Sequence, residues 1–123
     1  MRLLLDTHVL LWWLAASSRL TSKARSAIAG SPAVYVSAAT AWEISIKKRL
    51  GKLDAPDDLE AALESSRFQP LPVTIPHALA AGSLALHHED PFDRMLIAQA
   101  QAEGLTLVTR DPRMKMYGAP VLF

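Results

Sequence analysis

Short runs of apolar residues recur along the chain, each separated from the next by enough residues for at least one helix: "RLLL" at 2–5, "VYV" at 34–36, "LTLVT" at 105–109 and, after a shorter gap, "PVLF" at 120–123. Within the runs apolar residues follow one another instead of alternating with polar ones. That pattern belongs to strands buried on both faces, as in a parallel sheet covered by helices. Parallel neighbours cannot be joined by a tight turn and need a crossover of a dozen or more residues. The intervening segments supply one. Thr7 to Ala16 reads as a helix, and Thr21 can cap "SKARSAIAG", closed by Gly30. Ser37 can cap "AATAWEISIKKRLG", ending at Gly51, and Asp57 can cap "DLEAALESSRF". A further helix is expected from about Pro76 to Leu86, and another from Asp90 to Gly104, with a short helix before the last strand. "PLPVT" at 70–74 carries two prolines and fits only the edge of a sheet. The expected architecture is α/β, one domain over residues 1–123, with a central, mainly parallel sheet of about four strands flanked by helices.

Half of the residues are apolar, which suffices for one packed core. The absence of cysteine excludes disulfides, thiolate metal sites and cysteine nucleophiles, and it fits a reducing cytoplasm. A formal net charge of +1 gives no strong overall field, so any nucleic-acid site must be a local patch. The N-terminus has an early arginine and an apolar stretch, as signal peptides do. Asp6, Thr7 and His8 interrupt it, however, and favour a buried strand followed by a helix. No apolar run is long enough to span a bilayer.

Open parallel sheets place ligands beyond the carboxyl ends of their strands. Asp6 falls at the end of the first strand, and Glu43 about two turns into the helix that leaves the second. Asp93 falls in the first turn of the helix that returns toward the third strand, and Asp111 just past that strand. All four can meet at one edge. Carboxylates gathered in this way repel one another unless a cation compensates. An all-oxygen donor set favours a hard ion such as Mg²⁺ or Mn²⁺, one or two of them. Such an ion can activate water and stabilise charge on a phosphodiester. Each acid also has a purely structural explanation. Asp6 can cap the following helix, and Glu43 can pair with Lys47 at i,i+4. Asp111 can start a turn before Pro112. In "DPFDR", Asp90 can be the N-cap, Pro91 the first helical residue and Asp93 the third-position acid of a capping box. Capping and chemistry are compatible for Asp93, because the electropositive helix N-terminus favours its ionised form.

The stretches "LLLDTHVLLWWL", "VSAATAWEISIKKRLGKL" and "DPFDRMLIAQAQAEGLTLVTRD", with the terminal "PVLF", span nearly the whole chain. In that order they resemble the PIN-domain ribonucleases, most closely the VapC-type toxins of prokaryotic toxin–antitoxin pairs. The resemblance implies a three-layer PIN-like fold and an acidic, Mg²⁺- or Mn²⁺-dependent site that cleaves RNA. It puts the family's acids on Asp6, Glu43, Asp93 and Asp111. Asp6 and Asp93 would hold the metal most directly, and Glu43 and Asp111 would complete the cage directly or through water. Lys47 or Arg110 would contact phosphate, and Thr7 and Thr109 would hydrogen-bond the carboxylates. Asp90 is a further candidate for the metal's water shell, and His8 for a contact with Asp6. The resemblance also implies a homodimer, a cognate antitoxin protein, and DNA engaged only through that antitoxin.

Other features carry less. The adjacent His87 and His88 point opposite ways if the chain is extended, which suggests a loop or capping role. "KKR" at 47–49 with Lys52 reads as a solvated helix face that can add phosphate contacts. Trp12 and Trp13 lie about 100° apart on one helix and cannot both face the core centre. Three rival functions compete: a Mg²⁺-dependent aspartyl phosphatase with Asp6 as nucleophile, a receiver-like phosphoacceptor module, and a PIN domain that binds RNA without cutting it. The first normally needs an acid two residues after its nucleophile, where this chain has His8. The second wants an acid pair near strand one, where Asp6 stands alone. A complete set of acids argues against the third.

Overall fold

The computed structural model describes residues 1–123. Five parallel strands form one sheet: β1 (Arg2–Leu5), β2 (Ala33–Ser37), β3 (Gln69–Leu71), β4 (Thr106–Val108) and β5 (Val121–Leu122), in the order β3-β2-β1-β4-β5. That is one strand more than expected. The extra strand is the proline-bearing β3, which lies at the sheet edge, where a residue without an N–H removes no interior ladder bond. β1 is central and pairs Leu3 with Val34 on one side and Leu4 with Leu107 on the other.

β1 explains the consecutive leucines. Leu3 and Leu5 point to one face and join Val9, Leu10, Ala24, Ile28 and Phe68 in the larger core. Leu4 points to the other face and joins Leu96, Ile97, Leu107 and Met114. All three leucines are fully buried. The helices that cover the sheet are α1 (Thr7–Leu14), α2 (Ser22–Gly30), α3 (Ala38–Arg49), α4 (Leu59–Ser65), α5 (Ile75–Ser83) and α6 (Pro91–Glu103), and a 3₁₀ segment runs over Pro112–Tyr117. No helix is long and apolar enough to cross a membrane.

Most helix starts fall where cap chemistry placed them. Asp6, Thr21, Ser37 and Asp90 each accept an N–H of the first turn. Three details differ from expectation. Asp58, not Asp57, caps α4, because Asp57 is drawn to the Lys48 ammonium at 2.8 Å. α5 ends at Ser83, three residues earlier than expected, and Arg94 takes up carbonyls in and beyond its last turn. Gly30 is the last residue of α2 instead of a left-handed cap outside it. Gly104 does close α6 in the left-handed conformation (φ 66°), which a Cβ would strain.

Candidate active site

The carboxyl edge of the sheet is where the acids gather. Asp6 follows β1, and its own N–H extends the ladder to the Val108 carbonyl at 3.1 Å. One carboxylate oxygen, Oδ1, accepts the Val9 N–H at 2.8 Å, as an N-cap does. The other, Oδ2, accepts the hydroxyl of Thr109, the residue after β4, at 2.6 Å. Capping α1 therefore leaves half of this carboxylate for other partners. Glu43 lies on α3, turned inward and 4% exposed. Thr7 donates to its Oε1 and Lys47 to its Oε2, both at 2.5 Å. The i,i+4 pair with Lys47 thus exists, and it lies inside the site.

At the start of α6, Oδ1 of Asp90 accepts the N–H groups of Phe92 and Asp93 at 2.8 and 3.0 Å. A capping box would return the Asp93 side chain to the Asp90 N–H. Here that N–H instead donates to Nδ1 of His88 at 3.2 Å, and the Asp93 carboxylate turns to Nε2 of His88 at 2.9 Å. Asp111 follows β4 and caps the 3₁₀ segment. Arg113 grips it in two places, Nε on Oδ1 at 3.1 Å and Nη2 on Oδ2 at 2.9 Å, and His88 Nε2 lies 3.1 Å from Oδ2.

These contacts divide the acids by charge. Glu43 has Lys47 and Asp111 has Arg113, whereas neither Asp6 nor Asp93 has a lysine or arginine within ion-pair distance. Burial raises the pKa of Asp6 above the ordinary carboxylate value, against the lowering effect of its hydrogen bonds to Thr109 and Val9. Asp93 is pushed up to about 7, first by burial and then by Asp90, Asp6, Glu43 and Asp111. The favourable helix N-terminus is outweighed. Asp111 goes the other way, held low by its hydrogen bond to Arg113, and the bond to Glu43 raises Lys47. Two adjacent acids without a cation, set among oxygen donors, form an arrangement that a hard divalent ion fits. Asp6 and Asp93 are the acids whose charge such an ion would balance, and the ligand atoms of His88, Asp93 and Asp111 lie within 4.8 Å of one another.

The acids open into a groove of about 1070 Å³, lined almost entirely by polar and charged residues. Trp12, His8 and Arg110 form one wall. The Trp12 ring centroid is 6.0 Å from that of His8, and the Arg110 guanidinium lies 5.8 Å over the Trp12 ring. His8 therefore meets Trp12. Trp13 packs on Phe68 instead, so the two tryptophans are both half-buried and serve different surroundings.

His88 is the site residue that sequence reasoning missed. It is 4% exposed, whereas its neighbour His87 stands outside against Tyr117. The loop folds back because the Arg94 guanidinium collects the carbonyls of Ala81, Leu84, Ala85 and His88, at 2.8–3.1 Å. The available signal was the spacing: a histidine two residues before an N-cap can take the N–H that a capping-box acid would otherwise take.

Fold and site together define an α/β domain whose parallel sheet carries a carboxylate-lined groove at its carboxyl edge. The family model for the PIN domain matches residues 3–119. Ribonuclease VapC22 of Mycobacterium tuberculosis (strain ATCC 25618 / H37Rv) is 30% identical over 120 residues, covering 95% of this chain and 92% of that protein. The chain belongs to the PIN domain family. Solved structures share its fold. DNA-bound VapBC from Salmonella typhimurium aligns with a TM-score of 0.72 at 19% identity, covering 99% of this chain and 97% of that one. FitAcB from Neisseria gonorrhoeae aligns with a TM-score of 0.70 at 22% identity, covering 98% and 96%.

Proposed function

We propose that this protein is a metal-dependent endoribonuclease that hydrolyses RNA phosphodiester bonds as the toxin of a toxin–antitoxin pair, acting in the cytoplasm as a single PIN unit over residues 1–123. The observation that carries the reading is the meeting of Asp6, Glu43, Asp93 and Asp111 in one open, polar groove at the sheet edge, in a PIN-family chain 30% identical to a VapC ribonuclease. The ion is Mg²⁺ or Mn²⁺, since all four side chains offer oxygen. Asp6 and Asp93 hold it, and Glu43 and Asp111 act directly or through water.

When bound, the ion supplies an activated water and charge stabilisation at the scissile phosphate. The chain's own groups do the rest. Thr109 and the Val9 N–H fix both oxygens of Asp6, and Thr7 and Lys47 fix those of Glu43. Asp93 stands on a helix whose cap is made by another residue, so its carboxylate is not spent on the helix end and lines the groove. Arg110 and Lys47 line the same groove and would meet phosphate there.

The partners follow from the family. A cognate antitoxin covers the groove and brings any DNA contact with it. Ile75 and Leu79 stand exposed one turn apart on α5, and a second copy of the chain would cover them in a homodimer. The test is cleavage of RNA with Mg²⁺ or Mn²⁺ by the wild type, Asp6→Asn and Asp93→Asn, beside a phosphomonoester and an acyl phosphate. RNA cleavage lost in both variants supports the assignment. Full activity in both variants, or turnover of the phosphomonoester or acyl phosphate alone, overturns it.

A further inference from the structure

Two of the residues that line the groove are hydrophobic, Trp12 and Leu86. Leu86 stands 85% exposed on the loop before α6, whereas Trp12 is half-buried and held in place. Phe123, just after β5, lies 6.0 Å from its ring between centroids, and the ring packs on the larger core. His8 lies one turn earlier on α1, exposed on the same side of the helix. The neighbouring tryptophan is used differently. The Trp13 indole N–H donates to Ser66 Oγ at 3.2 Å and its ring packs on Phe68, so both of its functions are spent inside the chain. The indole N–H of Trp12 makes no hydrogen bond within the chain and is left for whatever enters the groove.

The cations near Trp12 are also unspent. Arg110 lies 5.8 Å over the Trp12 ring and makes no ion pair, although Asp6, Asp93 and Asp111 line the same groove. Asp111, its neighbour in the chain, is taken by Arg113. A guanidinium laid on an aromatic ring keeps the N–H groups along its edge for phosphate. Arg19, between α1 and α2, lines the groove too and is likewise without an ion pair. Cations beside an aromatic ring match the two halves of one nucleotide: the charge meets phosphate and the ring meets the face of a base. Phosphate contacts alone give no reason for a tryptophan at this place. In a duplex each base is already stacked between its neighbours, so only an unpaired base offers its face to the ring.

We propose that Trp12, with His8 and Arg110 around it, is a base-stacking subsite of the groove, so that the RNA this protein takes is unpaired where it passes the acids. This deepens the nuclease reading above and rests on it for the identity of the ligand. The stacking itself is read without cleavage.

The experiment uses Asp93→Asn with Mg²⁺, in which RNA is expected to be bound and not cut. Binding is followed by fluorescence anisotropy of labelled oligomers of one length: oligoadenylate, an abasic ribose-phosphate chain, and an oligoadenylate–oligouridylate duplex. Oligoadenylate should bind roughly 10–100-fold more tightly than the abasic chain, the range that stacking of one base gives, and more tightly than the duplex. Adding Trp12→Leu should remove that advantage and leave the affinity for the abasic chain as it was. Trp12→Phe keeps a ring and should keep most of the advantage. Equal binding of oligoadenylate and the abasic chain overturns the proposal, as does a loss in Trp12→Leu that both oligomers share. Should Trp12→Leu fail to fold, photo-crosslinking of oligobromouridylate to the chain with Trp12 intact decides. Peptide mass spectrometry should then find the mark on Trp12 or His8, and marks elsewhere alone overturn the proposal. Total RNA left intact by the wild type with Mg²⁺ or Mn²⁺ removes the nuclease reading, while the base preference in binding still decides the subsite. RNA cut by the wild type, with no preference for oligoadenylate over the abasic chain, removes the subsite and leaves the nuclease.

Discussion

The main-chain N–H of Asp90 donates to Nδ1 of His88 at 3.2 Å, and this bond releases Asp93 from the end of α6. Asp90 makes the cap with its own carboxylate, so the two aspartates of "DPFDR" separate into a structural and a chemical residue. Asp93→Asn should abolish RNA cleavage. It should also raise the melting temperature of the metal-free protein, because it removes a charge that burial and four neighbouring acids oppose. Asp90→Asn can still cap and should keep most of the activity. Asp90→Ala should cost about 1 kcal/mol, the usual effect of losing an N-cap. Cleavage assays and thermal unfolding of the three variants check this. Equal losses of activity in Asp93→Asn and Asp90→Asn would refute the division.

Metal-free stability should fall as pH rises from about 4 to 7. Asp93 titrates near 7 in the folded chain against an ordinary 3.8, so the folded state binds more protons than the unfolded one in that window. Stability falls wherever that holds. Asp6 is raised and acts in the same direction. Asp111 is lowered, and its contribution is lost only at more acid pH, as pH falls through its folded value. The predicted loss is on the order of 2–4 kcal/mol, or roughly ten degrees of Tm for a domain of this size. Saturating Mg²⁺ at neutral pH should recover it. A melting temperature that rises between pH 5 and 7 without metal would contradict the assignment of unmatched charge to Asp6 and Asp93.

The parts of the site that could be read from the sequence were those fixed by local pattern. Asp6 and Asp111 follow apolar strands, and Glu43 stands among apolar neighbours on a helix that leaves another strand. Those patterns locate them at the carboxyl edge before any contact is known. The proline-bearing β3 was legible as an edge segment for the same local reason. His88 was legible only as a loop or capping residue, which its bond to the Asp90 N–H bears out; its place in the site depends on residues far along the chain, since Tyr117 and Asp111 lie 29 and 23 positions away. The competition between Lys48 and the α4 N-terminus for Asp57 is likewise tertiary, and it moved the cap by one residue. Patterns of period 2 and 3.6 locate elements, but they do not say which loop is folded back onto the site.

Thr109 serves two groups at once, since its hydroxyl donates to Asp6 Oδ2 at 2.6 Å and accepts the Asp111 N–H at 3.1 Å. It thereby ties the acid after β1 to the acid after β4. Thr109→Val keeps the shape but leaves a buried carboxylate oxygen without its donor. The expected cost is about 1–3 kcal/mol, with activity down roughly 10–100-fold. Thr109→Ser keeps the hydroxyl and should restore both. Denaturant unfolding and cleavage rates of the two variants test this, and a Thr109→Val protein as active as the wild type would show that Asp6 needs no such support.

Arg94 acts on the site from behind. Its Nη1 donates to the carbonyls of Ala85 and His88 at 3.0 and 3.1 Å, and its Nη2 to those of Ala81 and Leu84 at 2.9 and 2.8 Å. One planar guanidinium thus closes the end of α5 and the loop that carries His88. A lysine has the charge but not the fork, and it cannot meet four carbonyls spread in this way. Arg94→Lys should therefore behave as a partial loss and Arg94→Ala as a full one, at roughly 2–3 kcal/mol for the hydrogen bonds of a charged donor. The damage should be local. Amide exchange should quicken over residues 84–90 while β1 and β4 stay protected, and cleavage should fall because the loop no longer sets His88 against Asp93 and Asp111. Exchange that quickens evenly through the sheet would instead mark Arg94 as a general stabiliser with no special tie to the site.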